Sequence, residues 1–138
     1  MPKFNSKSSD RLDTCDPRLQ SIFTEIVKHY DCTILCGYRD KATQDSYYNA
    51  IPQKSKVKWP KSKHNHSPSK AVDVAPWPIP KDWGKEWKDR VKFYELAALV
   101  FYEAHKQGIK IRWGGDWDSD RDYWDNTFDD LVHFEITK

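Results

Sequence analysis

Leu19, Ile22, Phe23, Ile26 and Val27 recur at the spacing of one helical face, which predicts an amphipathic helix running to about Tyr30. Asp16-Pro17 ahead of it offers an N-cap acceptor followed by proline, whose missing N–H is harmless in a first turn. A much longer helix is predicted from about Lys85 to Gln107. Trp87, Val91, Tyr94, Ala98 and Phe101 line one face of it, Leu96, Ala97 and Val100 widen that face, and Gly108 stands at the left-handed stop. Between the two, Asp40 can cap a short helix over Ala42 to Ala50, which stops before Pro52. Cys32-Thr-Ile-Leu-Cys36, Ala71-Val-Asp-Val-Ala75, Ile109-Lys-Ile-Arg-Trp113 and Leu131 to Ile136 are short β-prone runs, the second closed by Pro76, Pro78 and Pro80.

Residues 52–70 and 114–130 carry no periodicity and read as long loops, which in compact domains are functional or disordered. The order helix, strand, helix, loop, strand, helix, strand, loop, strand predicts an α+β fold. It is a small single domain over 1–138, with the last three strands in one antiparallel sheet under the long helix. Residues 1–15 read as a polar N-terminal extension.

Composition changes this picture in one respect. A mean hydropathy of −0.91 with 32% charged residues would suit a disordered chain, but 14% aromatics, including seven Trp, supply the sticky surface of a packed core. Trp87 on the long helix is expected in that core, and Trp113 and Trp117 beside the Gly-Gly turn are expected to wall a cleft. No apolar run approaches the roughly 18 residues of a membrane span, and Met1 to Arg11 lacks the apolar stretch of a secretory signal. The expectation is a protein without signal peptide or membrane anchor.

The net charge of +2 makes no general case for nucleic acid, but the charges are segregated. Lys54, Lys56, Lys58, Lys61, Lys63 and Lys70 crowd one loop, and Asp116, Asp118, Asp120, Asp122 and Asp125 the other. Lysines interleaved with Tyr47, Tyr48 and Trp59 also fit a non-enzymatic wall- or nucleic-acid-binding module. The acidic loop mimics the start of a calcium loop, yet Arg121 stands where the tight-turn glycine belongs and Thr127 where the bidentate glutamate belongs. A solvated or substrate-facing loop is the better expectation. Cys15, Cys32 and Cys36 form no even framework and read as buried free thiols.

Asp73 stands between Val72 and Val74, and His133 between Val132 and Phe134. A carboxylate inside an apolar strand is costly unless paired or metal-bound. A buried His–Asp hydrogen bond and a metal site both satisfy that demand. An additional histidine just before Asp73, His64 or His66, favours metal, because two imidazoles, one carboxylate and a water are the catalytic pattern for zinc. Asp130, three residues before His133, can take a proton from water, with Asp129 as its competitor. Arg39, at the end of the first strand, can stabilise an oxyanion or simply lie on the surface.

Ser62-Lys-His-Asn-His-Ser-Pro-Ser-Lys-Ala-Val-Asp73-Val-Ala-Pro76 resembles the Ser-x-His…Ala-x-Asp signature of the M15 family of zinc peptidases, which holds D-alanyl-D-alanine peptidases and phage L-alanyl-D-glutamate endolysins. Gly37-Tyr-Arg-Asp40 with Gln44 resembles the family's Gly-x-Arg…Gln segment. Ile111-Arg-Trp-Gly-Gly-Asp-Trp117 and Phe128-Asp-Asp-Leu-Val-His-Phe-Glu135 resemble the last two blocks of the phage members. The blocks occur in order from about Arg18 to Glu135.

The resemblance implies an antiparallel sheet carrying one catalytic zinc ion, held by the first-block histidine, Asp73 and His133. It implies Asp130 as acid/base, Arg39 as the transition-state arginine, and Ser62, Gln44, Trp113 and Asp116 as substrate-binding residues. His66 keeps the usual spacing to Asp73, whereas His64 keeps the Ser-x-His part, with Pro68-Ser69 as an insertion that lengthens the loop. His64 is the expected ligand, with His66 the alternative, and the family's usual glycine in this loop is missing.

The implied activity is hydrolysis of the L-alanyl-D-glutamate bond of bacterial peptidoglycan by a monomeric phage endolysin. Such an enzyme waits in the host cytoplasm for a holin-type permeabiliser, then acts on the wall from the periplasm. D-alanyl-D-alanine carboxypeptidase or dipeptidase activity is the alternative within the family.

Overall fold

The structure is a computed structural model and describes residues 2–117, 119 and 130–137. Four helices, α1 (Ser6–Asp13), α2 (Pro17–Val27), α3 (Lys41–Asn49) and α4 (Trp87–Gln107), surround four strands, β1 (Cys32–Cys36), β2 (Ala71–Pro76), β3 (Ile111–Gly114) and β4 (Asp130–Ile136). The strands form one antiparallel sheet in the order β1-β2-β4-β3, so the first strand joins the three expected to pair. β2 and β4 are central and align Asp73 with His133.

Alternation along these strands divides the sheet into two faces. Val72, Val74 and Phe134 pack with Leu19, Ile22 and Phe23 of α2 and with Phe93, Leu96 and Val100 of α4 in the hydrophobic core. Asp73, His133 and Glu135 alternate with these core residues along β2 and β4. The expected N-cap of α2 is present, with Asp16 accepting from the Arg18 N–H at 2.9 Å. Asp40 likewise caps α3 through the Thr43 N–H.

The buried face of α4 differs from the expected one. Phe93, Leu96, Ala97, Val100 and Ala104 face the core, whereas Trp87 is 60% exposed and Phe101 lies on the outer side. Leu96, Ala97 and Val100 are therefore the centre of the stripe rather than its margin. The helix carries aromatics on both sides, and only the row that meets α2 and the sheet is buried.

The polar stretch 1–15 is not a loose extension, because residues 6–13 form α1 and Leu12, Ser8 and Cys15 are buried. α1 covers the open edge of β1. Ser8 Oγ accepts from the Ile34 N–H at 3.1 Å, and Arg11 Nη1 donates to the Ile34 carbonyl at 3.0 Å. The polar side chains of α1 thus satisfy backbone groups that an edge strand leaves unpaired. Cys15 and Cys32 are buried and Cys36 partly so, all as free thiols. Asp118, Asp120, Asp122, Asp125, Asp129, Arg121, Trp124 and Thr127, and with them the calcium-loop comparison, lie outside the described residues.

Candidate active site

The Asp73–His133 pairing across β2 and β4 brings a carboxylate and an imidazole together by sheet register alone. His64 joins them from a single 3-10 turn, Lys63–Asn65, whose N-cap is Ser62. Ser62 Oγ accepts from the His64 N–H at 3.2 Å, and Asn65 Oδ1 accepts from the Ser62 N–H at 3.1 Å. This reciprocal capping box holds a loop too polar to anchor itself by burial. His64 is 1% exposed, whereas His66 follows the turn and points to solvent, outside the cluster.

Three atoms converge. His64 Nε2 lies 3.1 Å from Asp73 Oδ1 and 3.3 Å from His133 Nδ1, which is itself 3.3 Å from Asp73 Oδ1. The other ring nitrogens are engaged elsewhere: His64 Nδ1 at 2.7 Å from the Gly37 carbonyl, and His133 Nε2 at 2.8 Å from Glu135 Oε1. Both imidazoles therefore turn their remaining ring nitrogen toward the same point. Two nitrogens and one carboxylate oxygen within 4.8 Å of one another form a donor set that fits zinc and leaves room for a fourth ligand.

Electrostatics tie the cluster together. Burial pushes the Asp73 carboxyl up, but the charges and hydrogen bonds of His64 and His133 outweigh it and hold it far below the ordinary carboxylate range. Burial opposes charge on His64, yet the Asp73 carboxylate raises it to about 10. His133 is raised for the same reason, against its own burial, by Asp73 and Glu135. Glu135 is held at about 2 by His133 and Arg112 despite burial. Asp130 goes the other way: burial and the nearby Asp73 charge raise it to about 6, against the pull of His133, His64 and Arg39. A carboxyl poised there exchanges protons near neutral pH.

Arg39 is 6% exposed, with Nη2 at 3.5 Å from Asp73 Oδ2. Its Nη1 donates to Gln44 Oε1 at 3.0 Å, and its guanidinium lies 4.6 Å over the Tyr47 ring. Arg39 Nε is buried with no hydrogen-bond partner among the described residues. His64, Asp73, His133, Asp130, Arg39 and Ser62 all line one cleft of about 710 Å³.

The remaining expected substrate-binding residues lie elsewhere. Gln44 is fully buried, donating to Ser55 Oγ at 2.8 Å and to the Val57 carbonyl at 2.7 Å while it accepts from Arg39. It braces the lysine-rich loop and the arginine. Trp113 is 1% exposed, stacks on Phe134 and donates to the Leu131 carbonyl at 2.8 Å, so it is core rather than wall. Asp116 is buried in the turn after β3 and does not line the cleft. Trp117 does line it, 5.3 Å from the His133 ring.

Three cleft residues carry no role in the sequence reading: Glu135, Arg112 and Trp83, while Tyr47, read there only as an aromatic among the lysines, also lines the cleft. Glu135 did carry a signal, being a charged residue on the same strand face as His133 between apolar neighbours. Lys54, Lys56, Lys61 and Lys63 line one side, so much of the basic loop faces the cleft. Lys58 instead lies 5.3 Å over the Tyr48 ring.

Known proteins resemble this chain along nearly its full length. Residues 1–137 match the family described as phage L-alanyl-D-glutamate peptidase. The L-alanyl-D-glutamate peptidase of Escherichia phage T5 is 35% identical over 125 residues, 89% of this chain and 87% of that protein. Among solved structures, the L-Ala D-Glu endopeptidase ChiX of Serratia marcescens superposes with a TM-score of 0.71 at 23% identity, covering 99% of this chain and 91% of that one. At that identity the likeness speaks for the fold.

Proposed function

The chain belongs to the phage L-alanyl-D-glutamate peptidase family, and from that premise we propose that it is a zinc-dependent endopeptidase that cuts the L-alanyl-D-glutamate bond of the peptidoglycan stem. The observation that carries this reading is the convergence of His64 Nε2, Asp73 Oδ1 and His133 Nδ1 at the floor of a cleft that also holds Asp130 and Arg39.

His64, Asp73 and His133 would hold the metal. Bound zinc supplies Lewis acidity, which makes water a nucleophile near neutral pH and polarises a carbonyl. Asp130, with its carboxyl raised to about 6, accepts the proton of the attacking water as oxygen bonds to the alanyl carbonyl carbon. The same proton passes to the glutamyl nitrogen as the C–N bond breaks. Arg39 is always cationic and lines the cleft, so its charge stabilises the oxyanion that forms in between. Gln44 and Tyr47 keep the guanidinium in place. Lys54, Lys56 and Lys61 on the cleft wall give an anionic stem peptide an attractive field, and Trp117 excludes water from one side of His133.

No helix of the described residues is long and apolar enough to cross a membrane. In a lytic cycle the protein acts as a monomer that reaches the wall once a holin-type partner has opened the membrane. Digestion of purified peptidoglycan with and without a zinc chelator, read by mass spectrometry, tests the reading. Chelator-sensitive release of stem peptides beginning with D-glutamate is the expected result, and release of free D-alanine overturns the bond assignment.

A further inference from the structure

An imidazole that gives one nitrogen to a metal must carry its hydrogen on the other. The two histidines of the cluster meet this demand differently. His64 presents its outer nitrogen to a neutral acceptor, the Gly37 carbonyl at 2.7 Å. His133 presents its own to a carboxylate, Glu135 Oε1 at 2.8 Å. An ionised carboxylate only accepts, so it holds the hydrogen on Nε2 and leaves the lone pair on Nδ1, the atom that faces Asp73 and His64.

Glu135 reaches this position through the strand. It lies two residues beyond His133 on β4, hence on the same face, and pairs with Arg112 in the β3–β4 register. Its second oxygen is held independently: Arg112 Nη2 donates to Oε2 at 2.8 Å, and Lys63 Nζ lies 3.4 Å away. Lys63 Nζ is itself anchored by donating to the Ile136 carbonyl at 2.6 Å. The side chain of Glu135 is 5% exposed. An ion pair that served only to join β3 and β4 would need Oε2 alone. Here the other oxygen is spent on the imidazole, while the cations hold Oε2.

We infer that Glu135 is a positioning residue of the metal centre, which fixes the ring orientation and tautomer of His133 through Oε1 while Arg112 and Lys63 clamp Oε2. The inference rests on the zinc-peptidase reading above. It assigns Lys63, which adjoins the ligand His64 in the same turn, a second role as the link between the first ligand's loop and the last ligand's strand.

The test uses the full chain and zinc itself. Zinc affinity is measured by competition with a chromophoric chelator for the wild type, Glu135→Ala, Glu135→Gln and Arg112→Met, with circular dichroism on each metal-free form. Glu135→Ala is expected to lose about 10–100-fold in affinity, the usual consequence of removing a hydrogen-bond partner from a metal-bound histidine. Glu135→Gln keeps an acceptor and is expected to lose less, and Arg112→Met less again.

In the zinc-loaded wild type, nitrogen NMR of labelled histidine should show His133 protonated at Nε2. A folded Glu135→Ala protein with wild-type zinc affinity overturns the inference, as does an Nδ1-protonated His133 in the wild type. Should Glu135→Ala fail to fold, Glu135→Gln and the wild-type NMR measurement still decide. A wild-type protein that binds no zinc overturns instead the functional reading itself.

Discussion

Asp73 Oδ1 and His133 Nδ1 lie 3.3 Å apart across the two central strands, although a long loop and the longest helix separate them in the chain. Register makes this meeting, and register is set by the apolar residues on the other face of the same strands. Slipping β2 against β4 by one residue would bury Asp73 in the core and expose Val72 and Val74. The geometry of the cluster is thus enforced by the packing that stabilises the fold.

Separating metal binding from proton transfer is the first prediction. His133→Ala removes a donor from the cluster and is expected to lose both zinc and activity. Asp130→Ala leaves all three donors in place and is expected to retain one zinc per chain while hydrolysis drops by at least about 100-fold. Metal content by atomic absorption, beside a peptidoglycan digest, checks both. Full hydrolysis by the Asp130→Ala protein would remove Asp130 from the mechanism.

Asp130 also makes a prediction about stability. Its carboxyl is raised to about 6 by burial and by Asp73, above its ordinary value. A carboxyl raised in the folded state destabilises that state wherever it is ionised, and the penalty fades as pH falls through the folded value toward the unfolded one. Asp130→Asn should therefore stabilise the metal-free protein at pH 7 by up to about 3 kcal/mol and raise its melting temperature. Near pH 4 the gain should largely vanish. Thermal melts of both proteins at the two pH values measure it, and an equal gain at both would point to packing instead of charge.

Asp73 and His133 were legible in the sequence because an ionisable residue between apolar strand neighbours has few tolerable explanations. α2 and the four strands were legible for the complementary reason, that their apolar spacing matches their period. α1 was not, because its Ser8 and Arg11 act on the backbone of β1, a tertiary relationship without periodicity. The buried row of α4 was misjudged because Trp87 and Phe101 lie on the outer side of the helix. Gln44 was picked out by its motif, yet its work is internal: it joins Arg39 to the lysine-rich loop. The choice of His64 over His66 at the cluster depends on the path of one short turn, which no spacing rule defines.

Zinc binding should be strongly pH-dependent. In the metal-free protein the Asp73 carboxylate raises His64 to about 10 against its burial, so at pH 7 that imidazole holds a proton. A metal needs the lone pair, so binding at pH 7 must release the proton, and apparent affinity should rise with pH up to about 10. Calorimetric titration in two buffers of different ionisation enthalpy counts the protons released. The same raised value stabilises the metal-free fold fully below the unfolded value of about 6.5. That contribution is lost as pH climbs through about 10. A proton count near zero at pH 7 would contradict this account of the cluster.

The last prediction concerns Gly37, whose carbonyl accepts from His64 Nδ1 and Ser69 Oγ. A Cβ at this position would run into Thr14 Oγ1 and the Arg11 carbonyl, with Cys15 Sγ 3.0 Å away. The chain needs glycine here because the C-terminal end of α1 passes directly over it. Thr14 Oγ1 accepts from the Tyr38 N–H at 2.8 Å and donates to the Arg11 carbonyl at 2.7 Å, so α1 and the Gly37 turn are one unit. Gly37→Ala should cost at least about 1–3 kcal/mol, since overpacked backbone atoms yield less easily than side chains. It should also shift the carbonyl that orients His64 and so weaken zinc binding. Deleting residues 2–13 removes the overlying segment without adding bulk, and is expected to weaken zinc binding through the same carbonyl. Chelator competition on both variants checks the link, and wild-type affinity in a folded Gly37→Ala protein would show that the His64 turn holds its own geometry.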